Sequence, residues 1–150
     1  RNQFGTNPIE ALFTYFRKNE EEERLVKAYE TLESLEITHM AHNLTSELSG
    51  GQSKLVDIGR ALMGEPELLL LDEPVAGVAG PLAEKIFNNL RNIVSETKIS
   101  ILVIEHNMDF ILRAGVDRII VMDQGKVLME GTPDEVKDSK EVIEAYLGGH

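Results

Sequence analysis

Apolar residues recur at helical spacing through the first third of the chain and then gather into short unbroken runs. Ile9, Leu12, Phe13 and Phe16 share one face of a helix that Asn7 can cap, with Pro8 in its first turn and Glu10 at the capping-box position. A second helix is expected over "EEEERLVKAYETLESLE", with Leu25, Tyr29, Leu32 and Leu35 on a stripe and its acids facing the helix dipole. A third runs from about Gly50 to Met63 and carries Leu55, Ile58 and Leu62.

The texture then changes. "ELLLLDEP", "ISILVIEH" and "RIIVMDQG" are continuous apolar runs, the pattern of strands buried on both faces in a parallel sheet. Between them lie a helix from Pro81 to Glu96, with Leu82, Ile86, Leu90 and Ile93 on one stripe, and another from Asn107 to Ala114, stopped by Gly115. "QGKVLMEG" reads as a turn and a strand that hairpins back, and a Thr132 cap with Pro133 opens the closing helical segment. Strand–helix alternation implies an α/β core. Residues 1–64 are expected to form a helical subdomain with the third helix, and residues 65–150 the α/β core with C-terminal helices.

Composition narrows the function. The net charge is −11, split as −4 over 1–47 (5 Lys/Arg against 9 Asp/Glu) and −7 over 48–150 (10 against 17). Both halves are acidic, which argues against a nucleic-acid footprint and against binding anionic lipid through net charge. No apolar run approaches the length of a membrane span. There is no cysteine, so disulfides and thiolate metal sites are excluded.

Three stretches carry candidate chemistry. Asp72 and Glu73 follow an apolar strand, where ligands bind in open α/β sheets. A carboxylate there can hold Mg²⁺ through water while its neighbour polarises a nucleophile. His106 ends another strand and can hydrogen-bond a phosphate oxygen. Ser49 is an N-cap, and the amides of Gly50, Gly51 and Gln52 face out of a helix start that favours an anion. Taken singly, each has a plainer reading: an acidic turn, a surface histidine, a helix start with permissive glycines.

Order and spacing decide otherwise. "LSGGQ" is followed after fifteen residues by "LLLLDEP", then a helix, then "ILVIEH". This series resembles the ATP-binding subunit of ABC transporters: its signature motif, its Walker B strand and its switch-histidine strand. "GRALMGEPELLLLDEPVAGVAG", "VIEHNMDFI" and "EAYLGG" are similar to the branched-chain amino-acid importer ATPases, with urea-type importer and lipopolysaccharide-export ATPases as alternatives. Two departures stand out. Ala79 occupies a place where many members of the family carry an acid, which the branched-chain subgroup often lacks. No G-x-x-x-x-G-K-[ST] phosphate loop is present, and Gln3 does not follow a strand, so the family's Q-loop role is not carried onto it.

The resemblance implies a P-loop NTPase-like parallel sheet with an ABC-type helical subdomain, here the carboxy-terminal portion of one ATPase domain. Its phosphate-loop strand would sit between the His106 strand and the Arg118–Asp123 strand. Without it the chain alone is expected to be inactive and unstable, open or aggregation-prone. The cofactors implied are ATP and Mg²⁺. Ser49, Gly50, Gly51 and Gln52 would face the γ-phosphate held by a second ATPase subunit. Asp72 would hold Mg²⁺ through water, Glu73 would polarise the attacking water, and His106 would sense the γ-phosphate. The partners implied are that second subunit, in a homo- or heterodimer, transmembrane permease subunits and, indirectly, a periplasmic or extracellular substrate-binding protein, with the ATPase peripheral on the cytoplasmic face of the plasma membrane. Alternatives are a DNA-repair or translation ATPase of the same superfamily and a truncated, non-hydrolysing partner module.

Overall fold

A computed structural model describes the backbone of residues 8–147 and the side chains of residues 20–146. The chain divides into two compact units, residues 1–66 and 67–150.

In the first unit, α1 (Pro8–Ser34) is one helix where the sequence suggests two. Nothing between residues 17 and 20 is a Gly or Pro, and extending a helix costs less than nucleating a second one. The acidic run therefore lies mid-helix, where Glu20 pairs with Arg24 at 3.6 Å. The Asn7 cap and the Ile9–Phe16 face lie outside the described residues. The expected apolar stripe is buried only at its C-terminal end: Leu35 is fully buried, whereas Leu25 and Tyr29 are exposed. After two short 3₁₀ turns, α2 (Gly50–Leu62) follows. Its Leu55 and Ile58 are buried, as are Leu35, Ile37 and Met40 in the same unit.

The second unit is α/β. Strand β1 (Leu68–Asp72) pairs in parallel with β2 (Ser100–Ile104), with Asp72 opposite Ile104. Between them in sequence runs α3 (Gly80–Glu96), which starts with Pro81 in its first turn and packs its buried Ala83, Ile86, Phe87, Leu90 and Ile93 inward. The short α4 (Met108–Arg113) leads into β3 (Ile119–Asp123), which forms an antiparallel hairpin with β4 (Lys126–Gly131). Gln124 and Gly125 both have positive φ, the two-residue turn whose twist suits a hairpin. Arg118 and Glu130 pair across it at 2.9 Å. The closing helical segment is two helices, α5 (Pro133–Asp138) and α6 (Lys140–Leu147). Val136 and Val142 pack with Ile119 and Val121, and Phe87 meets Phe110 edge to face at 4.9 Å.

The strands differ from expectation in one respect. Their apolar runs are covered on one face only: Leu69 is buried, while Leu68, Leu70, Leu102 and Ile104 are exposed. Among the described residues β2 pairs with β1 alone and β3 with β4 alone, so no ladder joins β2 to β3. A cavity of about 640 Å³ is lined by residues of both strands and of α3, among them Leu90, Val94, Leu102, Val103 and Ile119.

Candidate functional site

The carboxyl end of the β1–β2 pair is built by a turn. Glu73 continues the parallel ladder one step beyond Asp72, its amide donating to the carbonyl of Ile104 at 2.9 Å. Its φ is then +45°, a left-handed conformation that is costly for a residue with a Cβ. Pro74, which follows, is buried, and the amide of Ala76 donates back to the Glu73 carbonyl at 3.1 Å. The effect is to turn the Glu73 side chain toward β2. There its Oε1 lies 2.9 Å from Nδ1 of His106.

The two side chains remain accessible, Glu73 at 46% and His106 at 74%. A carboxylate and an imidazole are thus paired at a strand end and open to solvent. His106 is followed by Asn107, whose Oδ1 accepts from the Phe110 amide at 3.0 Å and caps α4. Asp72 is exposed at the last position of β1. Sequence reasoning named Asp72, Glu73 and His106 separately, and the structure brings Glu73 and His106 into contact. It missed Glu105, whose Oε1 accepts from the Val75 amide at 3.4 Å. The signal was available: Glu105 has the inward parity of Ile101 and Val103.

Mg²⁺ bound with a nucleotide takes one or two carboxylates, keeps several waters and uses phosphate oxygens for the rest. An exposed carboxylate at a strand end fits that requirement, and Asp72 supplies it. Among the described residues no group of three or more His, Asp or Glu forms a complete protein cage.

In the first unit Ser49 is the N-cap of α2, with extended backbone. Its Oγ accepts from the Gln52 amide at 3.4 Å, and Gln52 Oε1 accepts from the Ser49 amide at 2.8 Å. Gln52 is therefore a capping residue here, its backbone amide donating to Ser49 Oγ. The Gly50 and Gly51 amides belong to the helix start, which has no intrahelical acceptors. A Cβ on Gly50 would meet nothing within 4 Å, so this end of the helix is open to a bulky group.

Residues 1–76 match the family model described as ABC transporter. The chain belongs to that family. Residues 126–150 match a second model, branched-chain amino acid ATP-binding cassette transporter. A probable branched-chain amino acid transport ATP-binding protein of Methanocaldococcus jannaschii is 40% identical over 148 residues, which cover 96% of this chain and 57% of that relative. A high-affinity branched-chain amino acid transport ATP-binding protein of Pseudomonas aeruginosa is 34% identical over 146 residues, 96% of this chain and 56% of that relative. The ADP conformation of an ATP-binding cassette of an ABC transporter superposes with a TM-score of 0.75 at 41% identity, over 84% of this chain and 50% of that one. The chain thus spans about half the length of the relatives it matches. An ABC cassette is an ATPase fold, which accords with the α/β unit and its parallel strand pair. Among the described residues no helix is long and apolar enough to cross a membrane.

Proposed function

We propose that, at its relatives' full length, this protein is the ATP-binding and ATP-hydrolysing subunit of an importer for branched-chain amino acids. The observation that carries the reading is the Glu73–His106 contact at a strand end, one residue beyond Asp72. The branched-chain substrate is supported by the match of residues 126–150 and by the names of the two relatives.

In this reading Glu73 is the base that orients and polarises the attacking water. Its left-handed backbone and its contact with His106 fix the carboxylate before substrate arrives, so less reorganisation is needed during reaction. With Nδ1 turned to Glu73, His106 leaves Nε2 to face a γ-phosphate oxygen. Asp72 would hold the metal of Mg·ATP through water, where the ion would supply positive charge against the phosphate oxygens. In the first unit Ser49 retains its hydroxyl proton for an outside acceptor, because its oxygen is the capping atom. Ser49 and the Gly50 and Gly51 amides would meet the γ-phosphate bound by a second ATPase subunit, so that nucleotide closes the dimer and hydrolysis releases it. The partners are then that subunit, membrane permease subunits and, through them, a substrate-binding protein, with the ATPase peripheral on the cytoplasmic face of the membrane. The 150-residue chain alone is inactive in this reading.

The test is uptake of labelled leucine by membrane vesicles carrying the cognate permease. Uptake that requires ATP and this protein is expected. ATP hydrolysis coupled to a different solute would overturn the substrate, and co-purification with ribosomes or DNA in place of a permease would overturn the transport reading.

A further inference from the structure

We propose that Glu105 is a positioning residue for Glu73, acting as a latch on the turn that carries it; this rests on the reading of Glu73 as the base. Three observations converge. Glu73 sits in a left-handed conformation (φ +45°) that it would leave if unrestrained. Pro74 has no N–H, so Val75 carries the first amide after Glu73 by which the turn can be anchored. That amide donates to Glu105 Oε1.

The bond, at 3.4 Å, is long for N–H···O, as bonds around unliganded catalytic groups often are. Its acceptor is a carboxylate, and hydrogen bonds to charged groups are stronger than neutral ones. Glu105 is half-buried and directly precedes His106. One dipeptide of β2's end therefore grips the β1 turn twice: Glu105 through the Val75 backbone, and His106 through the Glu73 side chain at 2.9 Å. Ladder pairing holds the start of the turn, through the Glu73 amide and the Ile104 carbonyl. Glu105 holds its far side. Releasing the far side lets Glu73 relax toward ordinary φ and swing its carboxylate from His106.

The experiment uses the protein at its relatives' full length, with ¹⁵N-labelled histidine rings and His106 assigned by loss of its signals in His106→Asn. Above the histidine titration range, wild type is expected to show His106 as the Nδ1–H tautomer, since Nδ1 donates to Glu73. Glu105→Ala and Glu105→Met remove the acceptor, and Met keeps the side chain's length. Both are expected to shift His106 toward the Nε2–H tautomer and to lower kcat about tenfold or more with KM for ATP unchanged. Glu105→Gln keeps an acceptor oxygen and is expected to stay within about threefold of wild type. A folded Ala or Met variant that keeps the Nδ1–H tautomer overturns the latch. Unfolding of both with Gln intact also overturns it, by making Glu105 a scaffold residue. If wild type hydrolyses no ATP, the ATPase reading fails, while the tautomer arm still decides the latch.

Discussion

Ser49→Ala tests whether the start of α2 is built as the hydrogen bonds indicate. The substitution deletes the acceptor of the Gln52 amide and leaves the Gln52 side chain as the sole remaining half of the capping box. Loss of an N-cap Ser costs about 0.5–2 kcal/mol. The Oγ–N separation of 3.4 Å places this bond toward the weak end, so about 0.5–1 kcal/mol is the reasoned figure. Because the chain comprises two compact units, global melting is not a clean readout. Hydrogen exchange of the α2 amides is: an opening free energy lowered by about 0.5–1 kcal/mol speeds exchange at Gln52 and Ser53 roughly two- to fivefold. Gln52→Ala removes the 2.8 Å bond from the Ser49 amide, and the two single changes should couple, the double variant costing less than their sum. Unchanged exchange at Gln52 in Ser49→Ala, or strict additivity in the cycle, would refute the capping box. The cap also predicts that Ser49→Thr, which keeps a capping oxygen, exchanges nearly as slowly as wild type.

Three further outcomes are expected. Gly125→Val forces a β-branched residue to φ +76° in the β3–β4 turn, and should cost about 1–2 kcal/mol, read as faster amide exchange concentrated in that hairpin. The Glu135 carboxyl is held below its ordinary value by the backbone amide and then the hydroxyl of Thr132. A depressed carboxylate contributes stability that is fully present above its unfolded-state value and is lost as pH falls through the folded one; Thr132→Ala should move the Glu135 titration back upward by NMR, and Glu135→Gln should flatten that part of the acid limb. The exposed Leu70, Leu102 and Ile104, with the cavity along β2 and β3, should make the 150-residue chain bind an apolar dye and melt broadly, whereas a sharp cooperative transition of the monomeric chain would contradict this.

Much of the α/β unit was legible because its signals are local. Short apolar runs ended by acid, glycine or proline mark β1, β2 and β3; Thr132 before Pro133, with Glu135 three residues on, marks the start of α5. Three things were not legible. The helix break expected near Asn19 rested on acids at a supposed N-terminus, yet acids with i,i+4 partners are equally at home mid-helix, and Arg24 supplies one. The depth of strand burial depends on what covers each face, which composition does not encode. Contact between Glu73 and His106 arises from a register, Asp72 opposite Ile104, and from a positive φ at Glu73, neither of which is written in "LDEP" or "VIEH". Gln52 stands in "LSGGQ" three residues after Ser49, the capping-box spacing, and its bonds to Ser49 follow from that spacing.

If Glu73 is the base, ATP hydrolysis depends on the basicity of its carboxylate. In the protein at its relatives' full length, Glu73→Gln keeps the shape and the hydrogen-bonding oxygen while removing the carboxylate's basicity. Steady-state ATP hydrolysis should fall by about 10²–10⁴-fold, with ATP binding by equilibrium titration unchanged. Hydrolysis near the wild-type rate in that variant would show that Glu73 is not the base.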